Sequence, residues 1–262
     1  MSIDFKQPMT AYEFIAILLS SLALLIPIVR WFYDRYIKKL EINFLPSGMI
    51  TLYHNKSGSY LNLGGVYEAK NKSTTIREIS AKVIRLSDSA VLPLIWSSFP
   101  SPVYRKIAGN IETSFETAHP FKVEAETLVP AFIEFANKAD NIDGTSNEIL
   151  YPLLNASSPI LSQPGLPIIE IDRRVKALPE FGEAKLNLCD LFFWKTGKYQ
   201  LTITAVHTSG SFDKTYEFDL TDDESKFIKG NIDNLLVAHI AEQYKLFLPM
   251  RTITKAYKEK VQ

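Results

Sequence analysis

The sequence predicts a mainly β protein: an antiparallel β-sandwich with two long insertions and a C-terminal α-helix, preceded by one N-terminal transmembrane helix. Three patterns predict this fold class. An uncharged apolar run occupies residues 14–29, apolar residues alternate with period two after residue 39, and an apolar stripe at helical spacing follows residue 221. Period-two alternation is typical of half-buried strands, and the wider spacing is typical of an amphipathic helix.

The composition narrows the function classes. The chain has 262 residues, of which 46% are hydrophobic and 22% charged, as in an ordinary globular protein. Its formal net charge is +0, whereas general nucleic-acid binders carry a basic surplus, so we expect no nucleic-acid partner. The single cysteine, Cys189, lies in a short run that predicts part of a strand. With no second cysteine for a disulfide, the chain favours a reducing compartment.

The apolar run from Phe14 to Val29 is typical of a membrane span, within a helix predicted over about residues 12–33. Aromatic residues flank the run, as they do at membrane interfaces. A buried soluble helix is the main alternative. A cleaved signal peptide is disfavoured, because bulky residues and not small ones follow the run. The predicted anchor residues are Phe14, Leu18, Leu25, Trp31 and Tyr33.

The flanking cations predict the orientation of this helix. Only Lys6 precedes it, whereas four cations follow it: Arg30, Arg35, Lys38 and Lys39. Positive charges favour the cytoplasmic side of a membrane. We therefore expect a single-pass protein of the bacterial inner (plasma) membrane, with the N-terminus outside and residues 40–262 as a cytoplasmic domain. The lipid bilayer is its first expected partner.

Alternating apolar residues predict strands from residue 40 to about residue 86, over residues 129–135, and over residues 199–220. The clearest pattern is a hairpin whose turn lies around Ser209–Gly210. Its core face carries alternate residues of both strands, while the intervening residues are polar. An antiparallel sheet with one solvated face has this pattern. The predicted core residues of the hairpin are Tyr199, Leu201, Ile203, Ala205, Tyr216, Phe218 and Leu220.

The first strand of this hairpin carries a further motif. The stretch 196–205 reads TGKYQLTITA, and its Gly-x-Tyr-x-Leu spacing resembles a strand of immunoglobulin-like and fibronectin type III-like sandwiches. The resemblance concerns the architecture of residues 40–88 and 127–220, since Leu201 stands where antibody domains have a cysteine. It implies a two-sheet sandwich in which the hydroxyl of Tyr199 ties down a corner.

Two proline-rich stretches, residues 89–126 and 138–184, interrupt the strand pattern. They are too long for simple connections, so we expect ordered, irregular insertions over the sheet. A helix over about residues 222–246 begins with the capping box Thr221–Glu224. Its apolar stripe either packs on the sandwich or binds a partner. The basic tail beyond it, residues 251–260, is predicted to be a solvated end, with contact to anionic lipid of the inner leaflet as the alternative. The candidate partner surface comprises Trp96, Phe99, Ile232 and Leu236.

No catalytic motif is found in the sequence. There is no Gly-x-Ser-x-Gly elbow, and Thr196-Gly197-Lys198 lacks the upstream glycine of a phosphate loop. Residues 140–144 do not align with a calcium loop. The four histidines are never at metal-ligand spacing. We therefore predict no catalytic residue, no cofactor, no metal site and no enzymatic activity.

Three functions are compatible with these observations. The leading hypothesis is a non-catalytic, membrane-anchored interaction subunit that presents its β-sandwich to a protein partner or to a second copy. The second is an oligomeric membrane pore or membrane-disrupting effector controlled by the sandwich. The third is a small-ligand sensor or enzyme whose site lies in the insertions, with Trp96, Tyr104 and Trp194 as lining residues.

Overall fold

The computed structural model describes residues 10–107, 110–137 and 142–260. Six α-helices and eleven strands occur within these residues. The helices are α1 (Ala11–Phe32), α2 (Ile142–Leu161), α3 (Ile168–Lys176), α4 (Pro179–Asp190), α5 (Asp222–Lys229) and α6 (Asn231–Tyr244). The strands are β1 (Glu41–Asn55), β2 (Gly58–Lys70), β3 (Thr74–Arg85), β4 (Ala90–Ile107), β5 (Asn110–Thr117), β6 (Phe121–Val123), β7 (Thr127–Asn137), β8 (Gly197–His207), β9 (Gly210–Leu220), β10 (Ile253–Ala256) and β11 (Lys258–Glu259).

The described strands form one antiparallel sheet, in the order β10-β1-β2-β7-β4-β3-β8-β9-β11. β5 pairs with β4, and β6 pairs with β3. The mainly antiparallel β class is therefore confirmed. The two separate sheets that a sandwich requires are not observed among these strands.

The C-terminal segment brings the two edges of this sheet together. β10 pairs with β1 and β11 pairs with β9, although Tyr257 alone separates the two short strands. The N–H of Tyr257 donates to the Gly48 carbonyl at 3.3 Å. Its ring packs against that of Tyr216, with centroids 4.8 Å apart. The sheet is consequently nearly closed and barrel-like, and the tail predicted to be a solvated end is part of its wall.

The predicted hairpin is confirmed. β8 and β9 pair from Gly197 with Leu220 to His207 with Gly210. The residues predicted to form its core face are buried. The Tyr199 hydroxyl donates to the Lys195 carbonyl, four residues upstream.

Residues 89–126, predicted as an irregular insertion, instead form β4, β5 and β6, and β4 lies between β7 and β3. The prolines lie where pairing is interrupted. Pro93 pairs only with β3, because the pairing of β4 with β7 begins at Leu94. Pro100 adjoins a register shift between β4 and β5. Proline is compatible with a strand where its missing N–H leaves no bond unmade.

Residues 142–184 of the second predicted insertion are mostly helical, and they contribute α2, α3 and the start of α4. Pro152 and Pro159 lie inside α2. Cys189 lies in α4, not in a strand. The alternation of Leu186 and Leu188 was misleading, because Leu186 is exposed while Leu188 is buried on the inner face of the helix. Residues 138–141 lie outside the described residues.

The single helix predicted over residues 222–246 is divided at Gly230 into α5 and α6. The capping box forms, since the Glu224 N–H donates to the Thr221 hydroxyl and the Thr221 N–H donates to the Glu224 carboxylate. A Cβ at Gly230 would overlap the guanidinium of Arg251. Glycine at this position therefore leaves room for the Arg251 guanidinium at the helix junction.

Helices α2–α6 lie at one end of the barrel, which we call the helical end, and α1 lies at the other. α5 follows β9 at Leu220, which pairs with Gly197, whereas α1 leads through a π-helical turn, Tyr33–Ile37, into the start of β1. Trp194 joins the helical end to the sheet, since its indole N–H donates to the Tyr53 carbonyl at 2.9 Å. Its own carbonyl accepts from the Ser225 hydroxyl at 2.7 Å.

The N-terminal apolar helix is confirmed. Within the described residues, α1 is the one helix long and apolar enough to cross a membrane, and none of its residues is buried. Its N-terminus is closed by a capping box between Thr10 and Glu13. Since α1 packs on no part of the barrel, an apolar surrounding outside the chain is compatible with its composition.

The buried His54 makes the free energy of unfolding depend on pH. Its side chain is buried, with Nδ1 3.4 Å from the Ser59 hydroxyl and its ring against Phe192. Burial lowers the pKa of His54 to about 4 from 6.5. The unfolded chain therefore binds a proton between these values that the folded chain does not. We expect the free energy of unfolding to fall as pH drops from 6.5 to 4, by about 3 kcal/mol for a full shift.

Urea denaturation of the full-length protein in mild detergent at several pH values measures this term. His54→Gln should flatten the decline between pH 6.5 and 4.5. Burial also lowers the pKa of His207 and His239, so the difference between wild type and His54→Gln is the relevant quantity. A parallel decline in both proteins would contradict the assignment to His54.

Candidate functional site

A groove on the helical end is lined almost entirely by apolar side chains. It lies between α3, α6 and the segment that follows α6, and its volume is about 320 Å³. Asp172 is the one charged residue among those lining it, and its carboxylate is paired with Lys176 at 2.6 Å. We call this the helical groove. Its lining comprises Ile168, Ile169, Asp172, Val237, Ile240, Ala241, Leu246 and Leu248.

The amphipathic pattern of α3 positions one wall. Ile171 and Val175 recur at a spacing of four residues and are buried in the core. Ile169 therefore points away from the core, and 81% of it is exposed. Because so little of its surface is buried, the Ile169 side chain contributes little to the stability of the folded chain.

The segment after α6 forms the other wall. α6 ends at Lys245, which has a left-handed backbone conformation with φ 52°, and the N–H of Leu246 donates to the Ala241 carbonyl. The chain then continues through residues 246–250 without regular secondary structure and leaves Phe247 88% exposed. These apolar residues were not predicted as part of a site. The signal in the sequence was an aperiodic apolar run after the end of a helix.

Two asparagines hold this segment in place. Asn234 Nδ2 donates to the Pro249 carbonyl at 3.0 Å. Asn231 is buried, and its amide exchanges two hydrogen bonds with the backbone of Arg251, both at 2.8 Å. The wall is therefore fixed by hydrogen bonds at both asparagines, so the groove does not depend on an occupant for its shape.

The residues predicted as a partner surface do not form one surface. Ile232 and Leu236 are 1% and 0% exposed. They belong to the core and do not form a partner surface, because the apolar stripe of α6 packs inward. Trp96 and Phe99 do come together, with ring centroids 4.6 Å apart, and Phe121 joins them.

A second groove lies beside Phe99, in the region of the alternative ligand site. Its volume is about 280 Å³, and its lining includes Phe121, His119, Glu116 and Phe132. It opens where β4 leaves β7 beyond Ser98 to pair with β5. Trp96 and Trp194 do not converge, since Trp194 is fully buried at the helical end. The side chain of Tyr104 lies outside the described residues.

A polar cluster on the outer face of the barrel has a structural role. The Glu134 carboxylate accepts hydrogen bonds from the hydroxyls of Tyr53 at 2.5 Å, Ser98 at 2.9 Å and Ser97 at 3.2 Å. Burial, and then the bond to Glu134, raise the pKa of Tyr53, which keeps its hydroxyl a neutral donor. Among the described residues, no group of three or more His, Cys, Asp or Glu side chains is arranged to hold a metal ion.

The predicted anchor residues Phe14, Leu18, Leu25, Trp31 and Tyr33 are all exposed on the N-terminal helix and the turn after it. Two of the predicted orientation charges share one acid. Arg30 lies 3.9 Å and Lys38 3.1 Å from the carboxylate of Asp34. Lys39 is exposed and its carbonyl accepts from Asn71, while the side chain of Arg35 lies outside the described residues.

No family model matches the chain, and no curated protein matches it significantly. Among solved structures, it is similar to the crystal structure of Spo0M, a sporulation control protein from Bacillus subtilis. The two are 8% identical, the match covers 76% of this chain and 56% of that chain, and the TM-score is 0.25. This chain thus spans little more than half the length of that protein. A TM-score this low carries no argument about fold or function.

Proposed function

We propose that this protein is a non-catalytic, membrane-anchored interaction subunit that binds a protein partner through the helical groove. The observation that carries the proposal is a preformed apolar groove at the end of the barrel opposite α1. Exposed contiguous apolar surface with polar surroundings is typical of a protein interaction site. A chain anchored by α1 would hold this groove away from its own anchor.

The groove favours an amphipathic helix of the partner as the occupant. Its lining on α6 consists of Val237, Ile240 and Ala241, which span about 6 Å at 1.5 Å per residue, or about one helical turn. Grooves between helices bind the apolar face of such a helix through side chains spaced by one turn. Ile169 and Leu246 would then contact the partner from the two walls, and the exposed Phe247 lies beside them, between the lining residues Leu246 and Leu248.

Photo-crosslinking in native membranes tests this proposal. A photoreactive residue replaces Phe247 in the full-length protein, and we expect one discrete adduct with a different protein. Burial of an isoleucine is worth about 1.5–3 kcal/mol, so Ile169→Ser should reduce the adduct about tenfold or more.

Leu186→Ser is the matched control, because Leu186 is also exposed but lies on α4 outside the groove. It should leave the adduct unchanged. Absence of an adduct, or equal loss in both variants, would contradict the proposal. An adduct with a second copy of the chain would show that the groove binds another copy of this protein and not a separate partner.

We also propose that α1 spans the bacterial inner membrane with the domain in the cytoplasm. Arg30, Lys38 and Lys39 support this orientation, since they lie at the domain end of the helix and Asp34 offsets only one charge. The distant resemblance to immunoglobulin-like domains remains a proposal, supported by the bond from the Tyr199 hydroxyl to the Lys195 carbonyl.

A further inference from the structure

One outward face of the barrel is apolar in the half where β1 begins. Leu45, Val66 and Pro130 lie side by side in register on β1, β2 and β7. Leu128 and Phe132 lie two residues to either side of Pro130 and point the same way. Leu45, Leu128 and Phe132 are 44%, 62% and 40% exposed. These five residues are called the apolar sheet face.

The same sheet face changes character along the strands. In the half nearer the helical end, its outward residues are polar or polar-tipped and include Tyr53, Asn62 and Glu134. The outer face of an antiparallel sheet is ordinarily polar where it meets water. The exposed apolar residues of these three strands are concentrated in the half that begins at the anchor, where Asn43 and Glu68 also face outward. A fully solvated face does not explain this concentration.

The connection to α1 places this half beside the membrane. Three residues, Lys38–Leu40, separate the π-helical turn from β1, and they span at most about 11 Å. The Lys39 carbonyl accepts from Asn71 Nδ2 at 3.0 Å, which fixes this linker to the end of β2. Leu128 pairs with Glu68, and Glu68 pairs with Asn43, which is two residues after Glu41. Measured along the strand direction, Leu128 is therefore about 7 Å from Glu41.

We propose that the apolar sheet face rests on the lipid bilayer, at the boundary between headgroups and acyl chains. The inference rests on the proposed function, because it requires α1 to span the membrane. Apolar side chains of peripheral segments bind at this depth through the area they bury. Charges of both signs flank the face, such as Lys70 with Glu68, so apolar contact and not net charge makes the attachment.

The contact would set the tilt of the barrel. With the strands inclined to the membrane, the helical groove, at the end of the barrel opposite α1, stays above the lipid headgroups. The partner is then met outside the bilayer.

Depth-dependent fluorescence quenching tests the inference on the full-length protein. In a Cys189→Ser background, an environment-sensitive dye is attached to a cysteine replacing Leu128, Leu22 or Phe247. The protein is placed in nanodiscs at one copy per disc, with lipids carrying a nitroxide near the headgroup or deep in the acyl chain. We expect the dye at position 128 to be quenched by the shallow nitroxide several-fold more than the dye at 247.

Two variants isolate the face. Leu45→Ser combined with Phe132→Ser should abolish most of the quenching at position 128. Val91→Ser should not, because Val91 is an exposed apolar strand residue outside the face. Equal effects of the two changes would overturn the proposal.

The dye at position 22 separates this inference from the anchor. Deep quenching at 22 with equal quenching at 128 and 247 overturns the contact and leaves the anchor intact. No quenching at 22 refutes the anchor itself. The dye at position 128 could instead report an apolar environment only with two copies per disc, and without nitroxide quenching. That result would identify a second copy as the occupant and would also overturn the inference.

Discussion

Trp194→Ala is expected to lower the free energy of unfolding by about 3–5 kcal/mol, the usual loss for a fully buried aromatic side chain. Trp194 is 0% exposed and packs against Phe193, Tyr199 and Phe218. Its removal leaves a cavity where the helices meet the sheet. It also leaves the partly buried Tyr53 carbonyl without the indole donor, which adds to the loss.

Guanidinium denaturation of the full-length protein in mild detergent, followed by circular dichroism, measures this loss. Trp194→Phe keeps much of the ring packing and should cost less. Trp31→Ala is the control, because Trp31 is exposed on α1 and contacts Tyr36 outside the barrel. If both alanine variants unfold at the wild-type midpoint, Trp194 does not join the helical end to the barrel.

Gly65→Ala is expected to destabilise the barrel, toward the upper end of the about 1–3 kcal/mol typical of overpacking. Gly65 pairs with Pro46 on β1 and Ala131 on β7. A Cβ there would overlap the buried Phe44 ring and lie 2.9 Å from the Leu45 carbonyl oxygen. Since that oxygen is backbone, relief requires β1 to move away from β2.

Gly182→Ala is the matched control. It lies within α4, and no described atom lies within 4 Å of the position of its Cβ. Alanine stabilises a helix relative to glycine by about 0.5–1 kcal/mol, so this variant should unfold at a higher temperature than wild type. Thermal unfolding midpoints that shift in the same direction for both variants would refute the close approach at Gly65.

The parts of the fold that were predicted depend on local patterns. Tyr199 and Leu201 alternate with polar residues because one strand face is solvated, and a short turn links β8 to β9, so one stretch of sequence contains the whole hairpin. The apolar character of α1 is equally local. The capping box at Thr221 requires residues only three apart.

The parts that were missed depend on distant contacts. Residues 253–256 pair with β1, about two hundred positions earlier in the chain, and nothing in the tail itself indicates that edge. Prolines were interpreted as loop residues, although Pro93 fits a strand because its neighbour on one side is absent. The helical groove was missed because Ile169 and Leu246, which both line it, are far apart in sequence and come together only in the fold.

The closure of the sheet by its last strands has a consequence for synthesis. Ribosomes make α1 before the strands, and β10 and β11 after the other strands, so α1, which we propose to span the membrane, is available for insertion while the edges of β1 and β9 still lack their partners. Exposed strand edges pair readily with other chains. A nascent chain held at the membrane by α1, as proposed, would be kept apart from others in solution during this interval. Chains released before β10 and β11 are made would retain both open edges and are expected to aggregate.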